Sequence, residues 1–287
     1  MFESTEILEI FADEDYLTGD ILQRISAEFE EIIYLKTDSI YKDIVWRGER
    51  VTRAHRDLVK GKVVLSGHSD IAMTKIRHSY LKWLGAKSIF STNLQTSATG
   101  AHVAPLGLSN NWETAAHVLC GDIQPFIDSL NTNPFEINPS QFAFYVNFSS
   151  GTYSKIRTPL LSYLKENTLG YPVKMDNTEF SSEGRKRYIS NIARFKLVIC
   201  PRGNGRDTHR FWEALYAGSI PVVVESEIPY NLLNQFDLPV VRLKSWGDLK
   251  YKSLIEPQIH QILQQKHNSD ALRSSKFMTQ VRANARK

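Results

Sequence analysis

RFKLVICPRGNGRDTHRFWEALYAGSIPVVVE, residues 194–225, decides how this chain is read. Phe195–Cys200 is a continuous apolar run of strand length that stops at Pro201, the pattern of a strand buried on both faces. A polar loop follows, Arg202-Gly203-Asn204-Gly205-Arg206, bracketed by two glycines. Asp207 or Thr208 then supplies a residue of helix N-cap type. Thr208–Ala217 carries the helical period and stops at Gly218, a C-terminal glycine. Ile220–Val224 (IPVVV) is the next strand. The unit is strand–loop–helix–strand, which predicts a parallel pair joined by a right-handed crossover.

The same stretch predicts a site. Ligands of open α/β sheets bind outside the carboxyl ends of the strands, where the Gly203–Gly205 loop falls. The loop feeds a helix N-terminus, whose free N–H groups and dipole attract phosphate. Arg202, Arg206 and Arg210 add guanidinium groups that can clamp phosphate oxygens through two bonds. Thr208, His209, Arg210 and Glu213 lie on the first turns of the helix, and the last three share a face. One turn in from the phosphate, Glu213 is placed to accept hydrogen bonds from ribose hydroxyls, while Phe211, Ala214 and Leu215 face a core. Plainer readings stand beside these. The arginines can be solvated loop charges, Arg210 and Glu213 a surface pair, the glycines a tight turn, and His209 a helix residue packed on the loop. A dinucleotide fingerprint would need glycine where Thr208 stands, and Gly61-Lys62 continues into Val63 rather than completing a P-loop.

Outward from this unit the alternation continues. Glu31–Leu35 (EIIYL), Lys62–Leu65 (KVVL), Lys87–Phe90 (KSIF) and Gln141–Phe148 (QFAFYVNF) predict strands. Ile71–Leu84, Arg157–Leu164 and Arg185–Arg194 predict helices, the first ending at Gly85. Pro125–Ser140, rich in Pro, Asn and Ser, predicts a linker or loop. The expectation is therefore two α/β domains with parallel sheets, residues 1–140 and 141–287. The glycine loop would put the nucleotide on the C-terminal domain.

With 42% hydrophobic and 23% charged residues over 287 positions, the chain has ordinary globular composition. Its net charge of +4 comes partly from Lys276, Arg282, Arg286 and Lys287, read as a solvated basic tail. That is not the concentrated basic face of a nucleic-acid binder. Cys120 and Cys200 form no CxxC pair, and Cys200 ends an apolar run as a small buried hydrophobe. The acidic opening MFESTEILEIFADEDYLTGD lacks the pattern of a signal peptide, and no stretch reaches a membrane span. A cytoplasmic location without a membrane span is the expectation; the sequence fixes no oligomeric state.

In the N-terminal half the most polar strand end is Ser66-Gly67-His68-Ser69-Asp70. His68 or Asp70 is a candidate base, since a hydroxyl nucleophile must lose its proton as it attacks. Asp70 can equally cap a helix starting at Ile71.

The run from Cys200 to Glu225 resembles the donor-binding segment of exostosin-like glycosyltransferases. It is also similar to the fucosyltransferase-type pattern ending in EAL-x-x-G-x-x-PVV. The resemblance implies a GT-B-like fold of two Rossmann-like domains around a cleft. It implies a nucleotide-sugar donor, UDP- or GDP-linked, as substrate rather than cofactor. Sugar would pass to a glycan or other hydroxyl acceptor with inversion and without a metal. It assigns Arg202, Gly203, Asn204, Gly205, Asp207, Thr208, His209, Arg210 and Glu213 to the diphosphate and ribose. Phe144–Arg157 is similar to the first strand, turn and helix of the donor domain, which makes Arg157 a second basic contact. Arg185–Tyr188 resembles the helix before the key strand, with Lys186 a phosphate contact or a surface charge. Thr92-Asn93 and Pro105–Leu108 resemble N-domain loops, the second packing between domains. An epimerase or phosphorylase on the same fold, or a non-catalytic nucleotide- or glycan-binding module, remain the alternatives.

Overall fold

The computed structural model describes residues 1–40, 55–110, 122–132, 142–179 and 181–286. Two helices, α1 (Ser4–Ala12) and α2 (Gly19–Ser26), precede β1 (Ile32–Lys36). A short α3 (Arg56–Val59) leads into β2 (Val63–Gly67), α4 (Lys75–Trp83), β3 (Ser88–Ser91) and β4 (Ala101–Val103). The four strands form one parallel sheet in the order β1-β2-β3-β4. Every residue of β2 and β3 is buried, which is why Val63–Leu65 and Ile89-Phe90 show no polar alternation.

After α5 (Gln124–Thr132) comes a second parallel sheet. Its segments are β5 (Ala143–Val146), α6 (Ser154–Glu166), β6 (Val173–Met175), α7 (Ser182–Phe195), β7 (Lys196–Ile199), α8 (His209–Tyr216) and β8 (Ile220–Val224). Then come α9 (Leu232–Gln235), β9 (Val241–Leu243), α10 (Lys252–Gln264) and α11 (Ser274–Arg286). The strand order is β6-β5-β7-β8-β9, all parallel. Successive side chains leave a strand on opposite faces. Phe144, Val146, Leu197, Ile199, Val222 and Val224 accordingly enter one core with Leu160, Leu164 and Ile259 from α6 and α10. Tyr145, Val198 and Val223 enter the other, with Ile189, Ile192, Phe211 and Leu215 from α7 and α8. This second core is continuous with the residues beneath the first sheet. The molecule is thus α/β, with two parallel sheets in a two-domain, Rossmann-like, GT-B-like arrangement.

Several expectations need correction. Pro125–Ser140 is not a loop throughout, because Gln124–Thr132 is helical. Pro125 sits in the first turn, where its missing N–H costs nothing, and Phe126 and Leu130 are buried four residues apart. Residues 133–141, with Cys120, lie outside the described residues, so the 140/141 boundary does too. The helix expected from Ile71 starts at Lys75 behind Thr74, whose hydroxyl accepts from the Arg77 N–H, so Asp70 is not its cap. The basic tail is not simply solvated. It forms α11, which packs on β2 and β3, with Phe277, Met278 and Val281 buried and Arg282 over the Phe29 ring. Lys276 lies 3.5 Å from Asp270, and Lys287 is outside the described residues. Cys200 is buried and free, as an apolar run requires, and burial pushes its thiol up to about 12. Among the described residues no helix is long and apolar enough to cross a membrane.

Candidate functional site

A cavity of ≈ 650 Å³ lies where the two halves meet. Its walls come from the carboxyl ends of strands in both sheets. Ser66 and Gly67 end β2 and His68–Asp70 follow it, Thr92 follows β3, and Ala104–Leu106 follow β4. Asn147 and Thr152 follow β5, and Gly203–Gly205 with Asp207–Arg210 follow β7.

The glycine loop is held from below by Arg157. This arginine is buried on α6, not an exposed helix residue. Its Nε donates to the Arg202 carbonyl at 2.9 Å, Nη2 to Pro201 O at 3.3 Å and Nη1 to Ser149 O at 3.4 Å. Burial, and then the nearby Arg210 charge, push its pKa down to about 10. Arg157 lines the cavity and fixes the backbone just before Gly203. Arg202 does not line it. Its guanidinium lies 4.1 Å from the centre of the Tyr153 ring and donates to the Gly203 and Asn204 carbonyls. Arg206 turns the other way and donates to Ser226 O. Of the three loop and helix arginines expected at a phosphate, only Arg210 reaches the cavity; it donates to Asn147 O and lies beside the Phe148 and Tyr188 rings.

Thr208 takes the N-cap position of α8, but no side chain hydrogen-bonds the cap. Its helix N-terminus therefore opens onto the cavity wall with Thr208, His209 and Arg210, an arrangement suited to an anion.

Glu213 is buried, yet its partner is not Arg210. Arg185 Nη1 donates to Oε1 at 2.6 Å and the Tyr188 hydroxyl donates to Oε2 at 2.7 Å. Burial alone would raise this carboxyl; the Arg185 charge and the Tyr188 bond outweigh it and hold the group below the usual range. Arg185 and Tyr188 also line the cavity. Both are legible in the sequence only as one face of α7, three residues apart; Lys186 between them is the surface charge of its two readings, exposed and 3.6 Å from Glu183.

Asp207, expected at the ligand or the cap, lines the cavity but spends its side chain on the domain junction. Oδ2 accepts from the Leu106 N–H at 2.9 Å and Oδ1 from Trp212 Nε1 at 2.8 Å. Its own N–H donates to Asn93 Oδ1 at 2.8 Å, and Asn93 Nδ2 donates to Ser69 O at 3.0 Å. Full burial pushes the Asp207 carboxyl up to about 7. His209 Nδ1 donates to Gly107 O at 2.9 Å; since a carbonyl only accepts, this nitrogen carries the proton. Thus Pro105–Leu108 packs between the halves as expected, and Asn93 joins them as well. Gly205 is required by close approach: a Cβ there would stand 2.7 Å from Asn93 Oδ1.

On the opposite wall, His68 and Asp70 both line the cavity. Asp70 is exposed. His68 has a left-handed backbone (φ 52) and a side chain 10% exposed, packed near Tyr34. Its Nε2 lies 3.1 Å from Asp20 Oδ1. Burial lowers its pKa, and Asp20 partly offsets this. The paired aspartates Asp13-Glu14-Asp15 do not line the cavity; Asp15 accepts from Ser274 and Ser275 at the start of α11.

These features define a class: a two-domain, Rossmann-like α/β protein whose interdomain cleft has a glycine loop and a helix N-terminus on one wall and a histidine and a carboxylate on the other. Residues 130–283 match the family described as RXYLT1 C-terminal domain, and the chain belongs to that family. It is similar to ribitol-5-phosphate xylosyltransferase 1 of Danio rerio, 28% identical over 122 residues that cover 37% of this chain and 28% of the relative. The human protein of the same name is 29% identical over 99 residues, 30% of this chain and 22% of the relative. The matched stretch spans less than a third of either relative.

Proposed function

We propose that the protein is a glycosyltransferase that moves a sugar from a nucleoside-diphosphate donor to a hydroxyl acceptor, and that the two partners meet in the interdomain cavity. One observation carries the reading: both parallel sheets turn their carboxyl ends to the same ≈ 650 Å³ space, with the Gly203–Gly205 loop and the uncapped start of α8 on one side and His68 and Asp70 on the other. The relatives' name makes a pentosyl donor, xylosyl first, the one to test.

In this reading the diphosphate lies on the Gly203–Gly205 amides, the α8 N-terminus and Arg210. These groups are fixed before reaction, so they stabilise the charge that develops on the leaving oxygen without reorganising. Arg157 keeps the loop in shape. Glu213 holds Arg185 and Tyr188, and each oxygen retains a lone-pair direction for a ribose hydroxyl. The acceptor oxygen attacks the anomeric carbon from the N-terminal wall as His68 or Asp70 takes its proton. The anomeric C–O bond breaks, and its electron pair leaves with the diphosphate. Attack opposite the leaving group inverts the centre. The resemblance of Cys200–Glu225 to exostosin-like transferases supports this, and supports a site that neutralises the diphosphate with basic residues rather than a metal.

Calorimetric titration with UDP, GDP and their sugar conjugates, with and without Mg²⁺, tests the donor site. At least one nucleoside diphosphate is expected to bind without Mg²⁺, and Arg210→Ala to weaken it by roughly tenfold or more, the loss of a charge-assisted contact. Binding by none of them, or binding that Arg210→Ala leaves unchanged, overturns the reading.

A further inference from the structure

The candidate base on the N-terminal wall is not alone. Beside His68, on the first turn of α2, stands Asp20, whose side chain is 56% exposed and whose Oδ1 is 3.1 Å from His68 Nε2. Asp20 itself does not line the cavity, whereas His68 does. Its place is fixed from both ends. Thr18 caps α2 by accepting from the Ile21 N–H at 3.1 Å, and the Asp20 N–H donates to Asn110 Oδ1 at 3.1 Å. The ring of His68 is seated just as closely. A Cβ on Gly19 would stand 2.5 Å from His68 Nε2, so only glycine lets α2 approach the imidazole. The Tyr34 ring, 5.2 Å away centre to centre, supports the ring. The left-handed φ of 52 at His68 is a conformation that non-glycine residues rarely hold, and such strain persists where the surroundings over-determine it.

We propose that His68, not Asp70, is the general base of the transfer, and that Asp20 is its positioning residue; the inference rests on the glycosyltransferase reading above. A carboxylate 3.1 Å from Nε2 favours the tautomer with the proton on that nitrogen, which leaves Nδ1 with the lone pair that accepts the acceptor's hydroxyl proton. As the acceptor oxygen bonds to the anomeric carbon, the proton passes to Nδ1 and the diphosphate departs with the electron pair. The imidazolium formed is then stabilised by Asp20. Before the step, burial keeps the imidazole neutral, together with the positive charges of Lys36 and, when protonated, His209; Asp20 is the opposing carboxylate. Asp70 has no comparable support. Among the described contacts it neither caps α4 nor holds His68, whereas Asp20 lies 3.1 Å from the imidazole.

Steady-state transfer across pH, beside calorimetric donor binding, tests this. His68→Asn keeps a side chain that tolerates the left-handed backbone but cannot take the proton. It is expected to cut kcat on the order of 10²-fold or more while nucleotide affinity stays within about twofold. Asp20→Asn removes the charge that raises the His68 pKa. It is expected to lower kcat by roughly tenfold and to move the acidic limb of the kcat profile to lower pH. NMR titration of the His68 ring should show the same downward displacement without any turnover. Asp70→Asn should leave that limb where wild type has it. If His68→Asn retains transfer, if Asp20→Asn leaves both the limb and the ring titration unmoved, or if Asp70→Asn removes the limb, the inference fails while the functional reading stands. A wild-type protein that neither binds nucleoside diphosphate nor transfers sugar overturns both.

Discussion

Asp207 shows how far a single residue can depart from its sequence neighbourhood. Beside a glycine loop and at the start of a helix, it has the credentials of a cap or a phosphate-site residue. Its two oxygens instead join Leu106 of the first half to Trp212 on α8. Because full burial raises its pKa to about 7, well above that of an unfolded aspartate, the folded state binds the extra proton in the window between about 4 and 7. Its contribution to stability is therefore complete at low pH and is lost as pH rises toward 7. Asp207→Asn should flatten that slope relative to wild type in denaturation series from pH 4 to 8. It should also cost about 1–3 kcal/mol, since one of the two buried donors then faces an NH₂ group. A variant whose stability follows the wild-type slope would show that this carboxyl does not titrate in the window.

At the scale of elements, the unit β7–loop–α8 is positioned by contacts that its own sequence does not contain. Arg157 of α6 holds its first carbonyls, and Asn93, after β3, holds its last turn. Gly205 lets Asn93 come that close. Gly205→Ala places a methyl against the Asn93 amide and should destabilise by about 1–3 kcal/mol, the range for overpacking a filled space. Asn93→Ala gives up the Asp207 N–H bond but removes the clash. In urea denaturation the double variant should therefore cost less than the sum of the two singles, as expected for neighbours in direct contact. Additive losses would place the strain of Gly205→Ala elsewhere.

At the scale of the molecule, the two halves are tied through more than the cleft. The last helix returns to the first sheet, where Phe277 meets the Phe90 ring edge-on at 5.9 Å. The N-terminal amine donates to the Ile262 and Gln265 carbonyls at the end of α10. Each fully buried Phe, Met or Val side chain is worth roughly 1.5–3 kcal/mol, and α11 supplies three of them. Deleting residues 274–287 removes all three and uncovers β2 and β3, so the truncated chain should lose its cooperative thermal transition or precipitate. A truncated protein that melts as wild type does would mean that the first sheet is covered without α11.

The α/β architecture, and residues on both walls of the candidate cavity, could be read from the chain alone. Strands of parallel sheets are buried on both faces, so EIIYL, KVVL, FKLVIC and IPVVV could be read as such, and β8 falls on Ile220–Val224 as expected. The glycine loop after β7 and the helix start beyond it were equally legible, because a strand end and a helix N-terminus are local features. The N-terminal strand end His68–Asp70 was legible for the same reason. Tertiary structure alone decided which charges face the cavity. Arg202 and Arg206 turn away to backbone carbonyls, while Arg185, 28 residues before Glu213, turns in and takes the carboxylate that spacing had offered to Arg210. Leu106 and Asp207 meet across 101 residues, and His68 finds Asp20 on a helix that precedes its own sheet. Along a chain, spacing reports only neighbours three or four residues apart. A buried charge instead takes whatever partner the packed halves bring to it, because desolvation leaves it no other place to go.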